Sequence, residues 1–212
     1  MSVKVKICGL KSKEAVIASH KADYLGFVFY QKSPRFVNAE LAKNLSKISR
    51  PSQKKVGLFV NAEEKVIEYI SDYVDLDFIQ LHGDESIEKI KYIKKKIKKP
   101  IIKSIPVSSK KDAEKYKDYN NICDMILFDT KPLDPYIPGG TGRRFNWDLL
   151  KEFKFKNEWM LAGGINMLNL QEAVIKTNAP IIDVSSELED DLGIKSPKKI
   201  EEFLNLAKSN KV

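Results

Sequence analysis

The sequence predicts a single-domain α/β protein, a (β/α)8 or TIM barrel formed by residues 1–212. Three observations lead to this fold class. Eight short apolar runs alternate with eight longer segments of helical periodicity, the connections between them are short, and no linker or low-complexity tract divides the chain. Alternating strands and helices build a parallel sheet with helical crossovers. An open doubly wound sheet would share this alternation, but eight units favour the closed barrel.

The predicted elements follow one another in strict strand–helix order. The predicted strands are 3–7, 24–29, 55–60, 77–81, 101–105, 125–128, 159–162 and 181–184. The predicted helices are 11–21, 39–49, 63–71, 85–98, 109–119, 147–153, 166–176 and 197–207. Side chains suited to helix N-caps stand at or near six of the helix starts, at Asn38, Asn61, Asp84, Ser108, Asn146 and Ser196. Helix 85–98 repeats isoleucine every three or four residues, which predicts one buried face.

Composition and charge exclude several functional classes. The chain carries a net charge of +8, which favours anionic ligands, but its lysines are spread over helical segments and no nucleic-acid-binding signature is present. No apolar stretch approaches the ~18–20 residues that a membrane helix requires. The N-terminus alternates lysine with valine and lacks the apolar core of a signal peptide. We therefore expect a cytoplasmic protein without a nucleic-acid or membrane partner.

Chemically capable residues stand at or just after the carboxyl ends of the predicted strands. In a (β/α)8 barrel this end carries the active site. The residues that mark it are Cys8, Arg35, Asn61, His82, Lys103, Asp129, Gly163, Gly164, Ser185 and Ser186. A barrel that only had to fold would not need this pattern, so we predict an active site at the carboxyl ends of the strands. For Lys103 alone, a salt bridge at the edge of the core is the preferred interpretation.

Strand parity places a thiol and two carboxylates inside the barrel. Side chains alternate between the two faces of a strand, so Cys8 and Lys6 face inward when the valines and isoleucine of the first strand meet the helices. Asp129 and Asp183 lie on the inward faces of the sixth and eighth strands. We expect Lys6 to favour the thiolate and to lower the pKa of Cys8. A buried, inert thiol is the alternative for Cys8 and the expected role of Cys123.

Two loops are suited to binding phosphate. Gly163 and Gly164 precede the helix after the seventh strand, where exposed backbone N–H groups and the helix start attract anions. Ser185 and Ser186 add hydroxyl groups after the eighth strand. The loops after strands seven and eight form a recurring phosphate site in this fold. The glycine-rich segment 139–144, after the sixth strand, is a candidate flexible lid.

Strings of residues along nearly the whole chain resemble the phosphoribosylanthranilate isomerase family. The similar segments are 5–9 (Val-Lys-Ile-Cys-Gly), 26–30 with 33–35, 56–61, 79–83 (Ile-Gln-Leu-His-Gly), 127–130, 139–142 with 145–147, 161–166 and 182–186 (Ile-Asp-Val-Ser-Ser). They occur in the order of the family, and those around Cys8, His82 and the serine pair are individually distinctive.

The resemblance implies an Amadori rearrangement in tryptophan biosynthesis. N-(5′-phosphoribosyl)anthranilate would become 1-(2-carboxyphenylamino)-1-deoxyribulose 5-phosphate, with no metal and no organic cofactor. The resemblance assigns the general base to Cys8 and the general acid to Asp129, and it pairs Arg35 with the anthranilate carboxylate. It places the phosphate at Gly164 and the two serines. These residue types suit the chemistry, because ring opening needs an acid and removal of the C2′ proton needs a base.

Asp183 and His82 also face inward, outside the proposed acid–base pair. Asp183 either contacts the amine or a ribose hydroxyl of the substrate or makes structural hydrogen bonds, and the residues do not favour one over the other. His82 is expected to position groups at the rim of the barrel, because Cys8 and Asp129 already supply the base and the acid. For the oligomeric state, the sequence does not decide between a monomer and a homodimer.

The chain departs from the family pattern directly after its serine pair. The family usually has glycine there, whereas this chain has Glu187, whose carboxylate would repel a phosphate dianion unless it points to solvent. The alternative functions are another phosphate-binding barrel enzyme of tryptophan or histidine biosynthesis and a non-catalytic phosphate-binding barrel. Cys8 stands where the histidine-pathway isomerase would have aspartate, and the synthase of the next tryptophan step would have an N-terminal extension. Cys8 and Asp129 together argue against a non-catalytic barrel.

Overall fold

The computed structural model describes residues 3–131 and 144–209. Eight parallel strands form a closed barrel in which each strand pairs with the next along the chain and the eighth pairs with the first, which confirms the predicted fold class. The barrel strands are β1 (Lys4–Cys8), β2 (Tyr24–Val28), β3 (Lys54–Phe59), β4 (Phe78–Leu81), β5 (Ile101–Val107), β6 (Met125–Thr130), β7 (Trp159–Leu161) and β8 (Ile181–Val184). Residues 139–143 of the candidate lid lie outside the described ranges.

Helices connect most of the strands. They are α1 (Lys13–Ala18), α2 (Ala39–Ser46), α3 (Glu64–Val74), α4 (Ile87–Ile97), α5 (Lys110–Glu114), α6 (Tyr116–Tyr119), α7 (Leu170–Thr177) and α8 (Pro197–Lys208). Short 3-10 turns cover Ser19–Lys21, Trp147–Leu150 and Ser186–Leu188. Within the described residues, every helix is too short or too polar to span a lipid bilayer.

The N-caps decide where the helices begin. Asn38 and Ser196 cap α2 and α8 as predicted, and the Asn146 side chain accepts the Asp148 N–H at the start of a 3-10 turn. At three other helices the cap lies one or two residues beyond the predicted position, at Glu63, Ser86 and Ser109.

Most predicted helices are somewhat shorter in the structure, and two of them differ most from the prediction. The segment 147–153 forms only a 3-10 turn over Trp147–Leu150, and α7 begins at Leu170 rather than at 166. The reason for the late start is Asn166, whose side chain accepts the N–H groups of Leu168 and Asn169 at 2.9 and 3.2 Å and so closes a turn of its own.

A hairpin that the sequence analysis did not predict follows the eighth barrel strand. Its antiparallel strands are β9 (Glu189–Asp191) and β10 (Ile194–Lys195), and it lies between β8 and α8 in the chain. Its first strand consists entirely of acidic residues, which are depleted in strands, so no strand pattern was recognisable.

The barrel interior is filled with side chains below its mouth. The inward-facing apolar residues of the lower layers are Tyr24, Val56, Ile102, Met125, Leu127, Met160, Ala162 and Ile181. Above them lies a small group made of Cys8, Val28 and Leu58. Val5 and Ile7 belong instead to the large core between strands and helices, which confirms the predicted parity of β1. The packed interior leaves the carboxyl ends of the strands as the place for a cleft.

Candidate active site

A cleft opens at the carboxyl ends of the barrel strands. The space between its lining residues, including the open mouth, is about 740 Å³. Nine of the predicted residues line it, namely Cys8, Arg35, His82, Asp129, Gly163, Gly164, Asp183, Ser185 and Ser186, whereas Asn61 and Lys103, which also mark the strand ends, do not. Glu187 lines the cleft as well. The fold therefore brings together residues that lie up to 178 positions apart in the chain, since the first is residue 8 and the last of the nine is residue 186.

The thiol side of the cleft is built by β1, β2 and β8. Cys8 ends β1 and is only 5% exposed. Gly26 on β2 makes room for it, because a Cβ atom at Gly26 would lie 3.0 Å from the Cys8 Sγ. One layer deeper, the fully buried Lys6 donates from Nζ to Asp183 Oδ1 at 3.0 Å. The register of β1 against β8 sets these two residues side by side, so Asp183 makes a structural hydrogen bond while it also lines the cleft.

Lys6 lowers the pKa of Cys8 as predicted, but the net shift of this pKa is upward. Burial raises the pKa of Cys8 above its ordinary value, and the Asp183 carboxylate adds to the rise. Lys6 does oppose this shift, as expected, but it does not cancel the cost of burying the thiolate. At neutral pH the thiol is therefore mostly protonated, and the thiolate that does form is a strong base.

The acid side of the cleft is built by the ends of β4 and β6. Asp129 Oδ1 accepts the Thr130 N–H at 2.7 Å, and Asp129 Oδ2 lies 3.5 Å from His82 Nε2. On its other side the imidazole Nδ1 of His82 lies 3.0 Å from Nε2 of the fully buried Gln80. His82 is thus held between an amide and a carboxylate, which is the arrangement of a residue that positions its neighbour.

The loop after β7 depends on glycine. Gly163 has a φ of +89°, and a Cβ atom there would lie 2.2 Å from the Thr130 Oγ1. A side chain at this position would therefore collide with the end of β6, in a backbone conformation that other residues rarely adopt. Gly164 follows with a φ of +65°. The two glycines let the loop cross closely over the residue that follows Asp129.

The two serines after β8 have different surroundings. The Ser185 hydroxyl donates to the backbone oxygen of Cys8 at 3.0 Å and accepts from Lys195 Nζ at 3.2 Å. Ser186 opens the 3-10 turn Ser186–Leu188, and its hydroxyl has no protein partner among the described residues. Of the two hydroxyls, that of Ser186 is the one available to a ligand.

Arg35 reaches the cleft from the loop after β2 and is already paired within the protein. Its Nε and Nη2 donate to Glu189 Oε1 and Oε2 at 2.6 and 2.9 Å, and Lys195 Nζ donates to the same carboxylate. Glu189 and Lys195 were not predicted as site residues because both lie on the unpredicted hairpin. The available signal was Gly193, a turn residue inside a charged run, which has a φ of +79° and packs against the backbone of Pro34.

Lys103 lies outside this constellation. Its Nζ donates to Glu85 Oε2 at 2.9 Å, and both side chains are buried, which confirms the predicted core-edge salt bridge. Cys123 is buried as expected, and burial raises the pKa of its thiol to about 12. Across residues 3–131 and 144–209, no three His, Cys, Asp or Glu side chains are grouped so that they could hold a metal ion.

Replacing Lys6 by methionine is expected to destabilise the fold by about 3–5 kcal/mol, because the buried Asp183 carboxylate would lose its only cationic hydrogen-bond partner among the described residues. Chemical denaturation followed by circular dichroism measures this change. Lys4→Met is the matched control on the same strand, since the pair of Lys4 with Glu158 is about half exposed and its loss costs at most ~1 kcal/mol. Equal stability of the two variants would contradict the expectation.

Comparison with known proteins places the chain among characterised sequences and folds. The sequence profile of the family described as N-(5′-phosphoribosyl)anthranilate (PRA) isomerase matches residues 5–206. The enzyme of that name from Parvibaculum lavamentivorans is 40% identical, over 98% of this chain and 99% of the relative. The crystal structure of phosphoribosyl anthranilate isomerase from Thermotoga maritima is 35% identical, covers 97% of this chain and 98% of its own, and superposes with a TM-score of 0.87.

A second solved structure holds a ligand. It is a phosphoribosyl anthranilate isomerase in complex with reduced 1-(o-carboxyphenylamino)-1-deoxyribulose 5-phosphate, it is 34% identical over 97% of this chain and 98% of its own, and its TM-score is 0.83.

The closed barrel and the thiol- and carboxylate-lined cleft at its strand ends define a (β/α)8-barrel enzyme. The matches over nearly the full length then decide among such enzymes. The chain belongs to the N-(5′-phosphoribosyl)anthranilate isomerase family, the aldose–ketose isomerases of tryptophan biosynthesis, as its sequence predicted. The other phosphate-binding barrels considered as alternatives are thereby set aside.

Proposed function

We propose that Cys8 and Asp129 carry out the Amadori rearrangement of N-(5′-phosphoribosyl)anthranilate, as general base and general acid respectively. The observation that supports this assignment is that a thiol and a carboxylate face one cleft from β1 and β6, three strands apart around the barrel. A substrate seated between them presents its ring oxygen to one group and its C2′ hydrogen to the other.

The acid step opens the ribose ring. Asp129, in its protonated form, gives its proton to the ring oxygen as the C1′–O bond breaks, and the nitrogen lone pair forms a C=N bond to C1′. The product of this step is a protonated Schiff base. His82 holds the acid in place, because its ring lies between Gln80 and Asp129.

The base step removes the proton from C2′. The Cys8 thiolate takes this proton, the C–H electron pair becomes the C1′–C2′ double bond, and the electrons of the C=N bond return to nitrogen. The resulting enolamine tautomerises to the aminoketone. The raised pKa of Cys8 makes the thiolate scarce but strongly basic, and Lys6 lies close enough to stabilise it.

The two ends of the substrate are held by different parts of the cleft. Arg35 receives the anthranilate carboxylate, because a guanidinium fork binds carboxylates in the plane. The phosphate is bound by the backbone of Gly163 and Gly164, by the hydroxyl of Ser186 and by the backbone of Ser185, whose own hydroxyl is engaged with Cys8 and Lys195. Asp183 faces the substrate from below through the carboxylate oxygen that does not bind Lys6.

The assembly and location of the protein remain predictions. One solved relative is described as a set of monomers generated from dimeric phosphoribosylanthranilate isomerase of Thermotoga maritima, so both states occur for that protein. We retain monomer or homodimer for this chain, together with a cytoplasmic location and a phosphorylated small molecule as its ligand.

Glu187 should weaken substrate binding, because this acidic residue lines the cleft directly after the serine pair of the proposed phosphate site. Glu187→Gln is expected to lower KM about fivefold with kcat unchanged, since like-charge repulsion at a wet rim is on the order of 1 kcal/mol. Steady-state kinetics and competitive inhibition by inorganic phosphate both measure the effect. Glu202→Gln on the exposed face of α8 is the control. An unchanged KM would mean that the carboxylate of Glu187 points away from the phosphate.

The proposed reaction is tested by following anthranilate fluorescence. Purified protein is mixed with substrate that is made in situ, and the substrate fluorescence is recorded while the product is identified by chromatography. We expect an enzyme-dependent decay together with formation of the aminoketone. If the protein leaves the rate of decay unchanged, the proposed reaction is wrong.

A further inference from the structure

A buried cluster of three charged side chains joins the hairpin to the cleft. Arg35, Glu189 and Lys195 have side chains only 9%, 5% and 1% exposed. The Glu189 carboxylate accepts from Arg35 through two parallel hydrogen bonds, from Lys195 Nζ, and from the Gly193 N–H at 3.0 Å. Both oxygens of Glu189 are therefore fully used within the protein.

The cluster carries one more positive than negative charge. It contains two cations, Arg35 and Lys195, and one carboxylate, Glu189. Removing a charge from water without a partner is costly, and the cost is relieved when an opposite charge arrives. The cluster is thus complementary to one additional anionic group placed against Arg35.

The hydrogen bonds to Glu189 also fix the direction in which Arg35 points. A guanidinium has five N–H donors in one plane, and Glu189 takes the edge formed by Nε and Nη2. Within the described residues, Nη1 donates to no protein acceptor. The second edge, formed by Nη1 and Nη2, is left for another planar acceptor, and Arg35 lines the cleft.

The hairpin is fastened to the loop that carries Arg35. Gly193 lies so close to this loop that a Cβ atom would be 2.4 Å from the Pro34 oxygen. Lys195 in turn donates to the backbone oxygen and to the hydroxyl of Ser185, both at 3.2 Å. The hairpin therefore holds both the loop that carries Arg35 and Ser185, at the start of the proposed phosphate-binding loop.

We propose that Glu189 and Lys195 are positioning residues for substrate recognition. Glu189 clamps the inner edge of the Arg35 guanidinium, so that its outer edge receives the anthranilate carboxylate, and Lys195 supplies the charge that this carboxylate balances. The proposal rests on the proposed binding role of Arg35. The specificity of the enzyme for a carboxylated aromatic amine is then set by the hairpin as well as by the cleft wall.

The test compares two substrates, the anthranilate derivative and the otherwise identical aniline derivative that lacks the carboxylate. In Glu189→Ala, kcat/KM for the anthranilate derivative is expected to fall tenfold or more, mainly through KM, while kcat/KM for the aniline derivative changes less than twofold. This scale is that of losing hydrogen bonds to a charged group, which are stronger than those between neutral groups. Asp191→Asn, on the exposed part of the same hairpin, is the control and is expected to leave both values unchanged.

The double variant Glu189→Gln/Lys195→Met covers the case in which Glu189→Ala does not fold. It keeps the cluster at a net charge of +1 and should show the same selective loss with the carboxylated substrate. An equal loss with both substrates, or no loss with either, would overturn the proposal. If the wild-type protein itself does not prefer the carboxylated substrate, the proposed role of Arg35 has failed, which is a different result.

Discussion

Replacing Cys8 with serine is expected to lower kcat by about 10²–10⁴-fold, the usual contribution of a positioned general base. Serine has nearly the same shape as cysteine, so the gap that Gly26 leaves beside this side chain stays filled. The hydroxyl, however, does not ionise at any pH where the protein is folded, so the C2′ proton has no acceptor. Single-turnover kinetics of the fluorescence decay separate this loss from any change in binding.

The control for this variant is Cys123→Ser, since Cys123 is equally buried but lies outside the cleft lining. Its kcat should stay within about twofold of the wild type. If Cys8→Ser retains more than a tenth of the wild-type kcat, Cys8 is not the base.

The pH dependence of the wild type provides a second signature of the same thiol. Because burial raises the pKa of Cys8 above its ordinary value of 9.0, less than half of the thiol is ionised at pH 9. The ultraviolet absorbance of the Cys8 thiolate, taken as the difference between the wild type and Cys8→Ser, should therefore reach less than half of its full value by pH 9. Ionisation of Cys8 that is more than half complete at pH 9 would contradict the raised pKa of this thiol.

Asp129→Asn should cause a loss of similar size, about 10²–10⁴-fold in kcat, because an amide has no proton to give to the ring oxygen. KM should change little, since asparagine retains an oxygen that can accept the Thr130 N–H. Asp124→Asn, at the other end of β6 and exposed to solvent, is the matched control. Wild-type turnover by Asp129→Asn would show that ring opening does not depend on this carboxylate.

The fold was predictable because strand and helix periods alternate without interruption. β1 illustrates this, because its side chains alternate as predicted: Val5 and Ile7 pack outward against the helices, while Lys6 and Cys8 face into the barrel. The residues at the site were predictable for the same reason, because the carboxyl ends of parallel strands meet at one end of a barrel.

What the sequence could not predict depends on contacts between distant segments. The bond between Arg35 and Glu189 spans 154 positions and is made by a hairpin whose acidic strand has no strand-like pattern. The net pKa shift of Cys8 likewise depends on the depth of burial and on Asp183, which the position of Lys6 alone does not report. The predicted helix from residue 166 begins only at Leu170, because the Asn166 side chain closes a separate turn instead of starting the helix.

The close crossing of Gly163 over Thr130 connects the loop after β7 to the carboxylate of Asp129. Thr130 donates its N–H to the Asp129 carboxylate, and Gly163 packs directly against Thr130. If this loop binds the phosphate as proposed, the phosphate lies next to the support of the proposed acid, although it is remote from the bonds that change. Under that proposal the phosphate contributes to aligning the proton donor, so a substrate without it should turn over more slowly as well as bind more weakly.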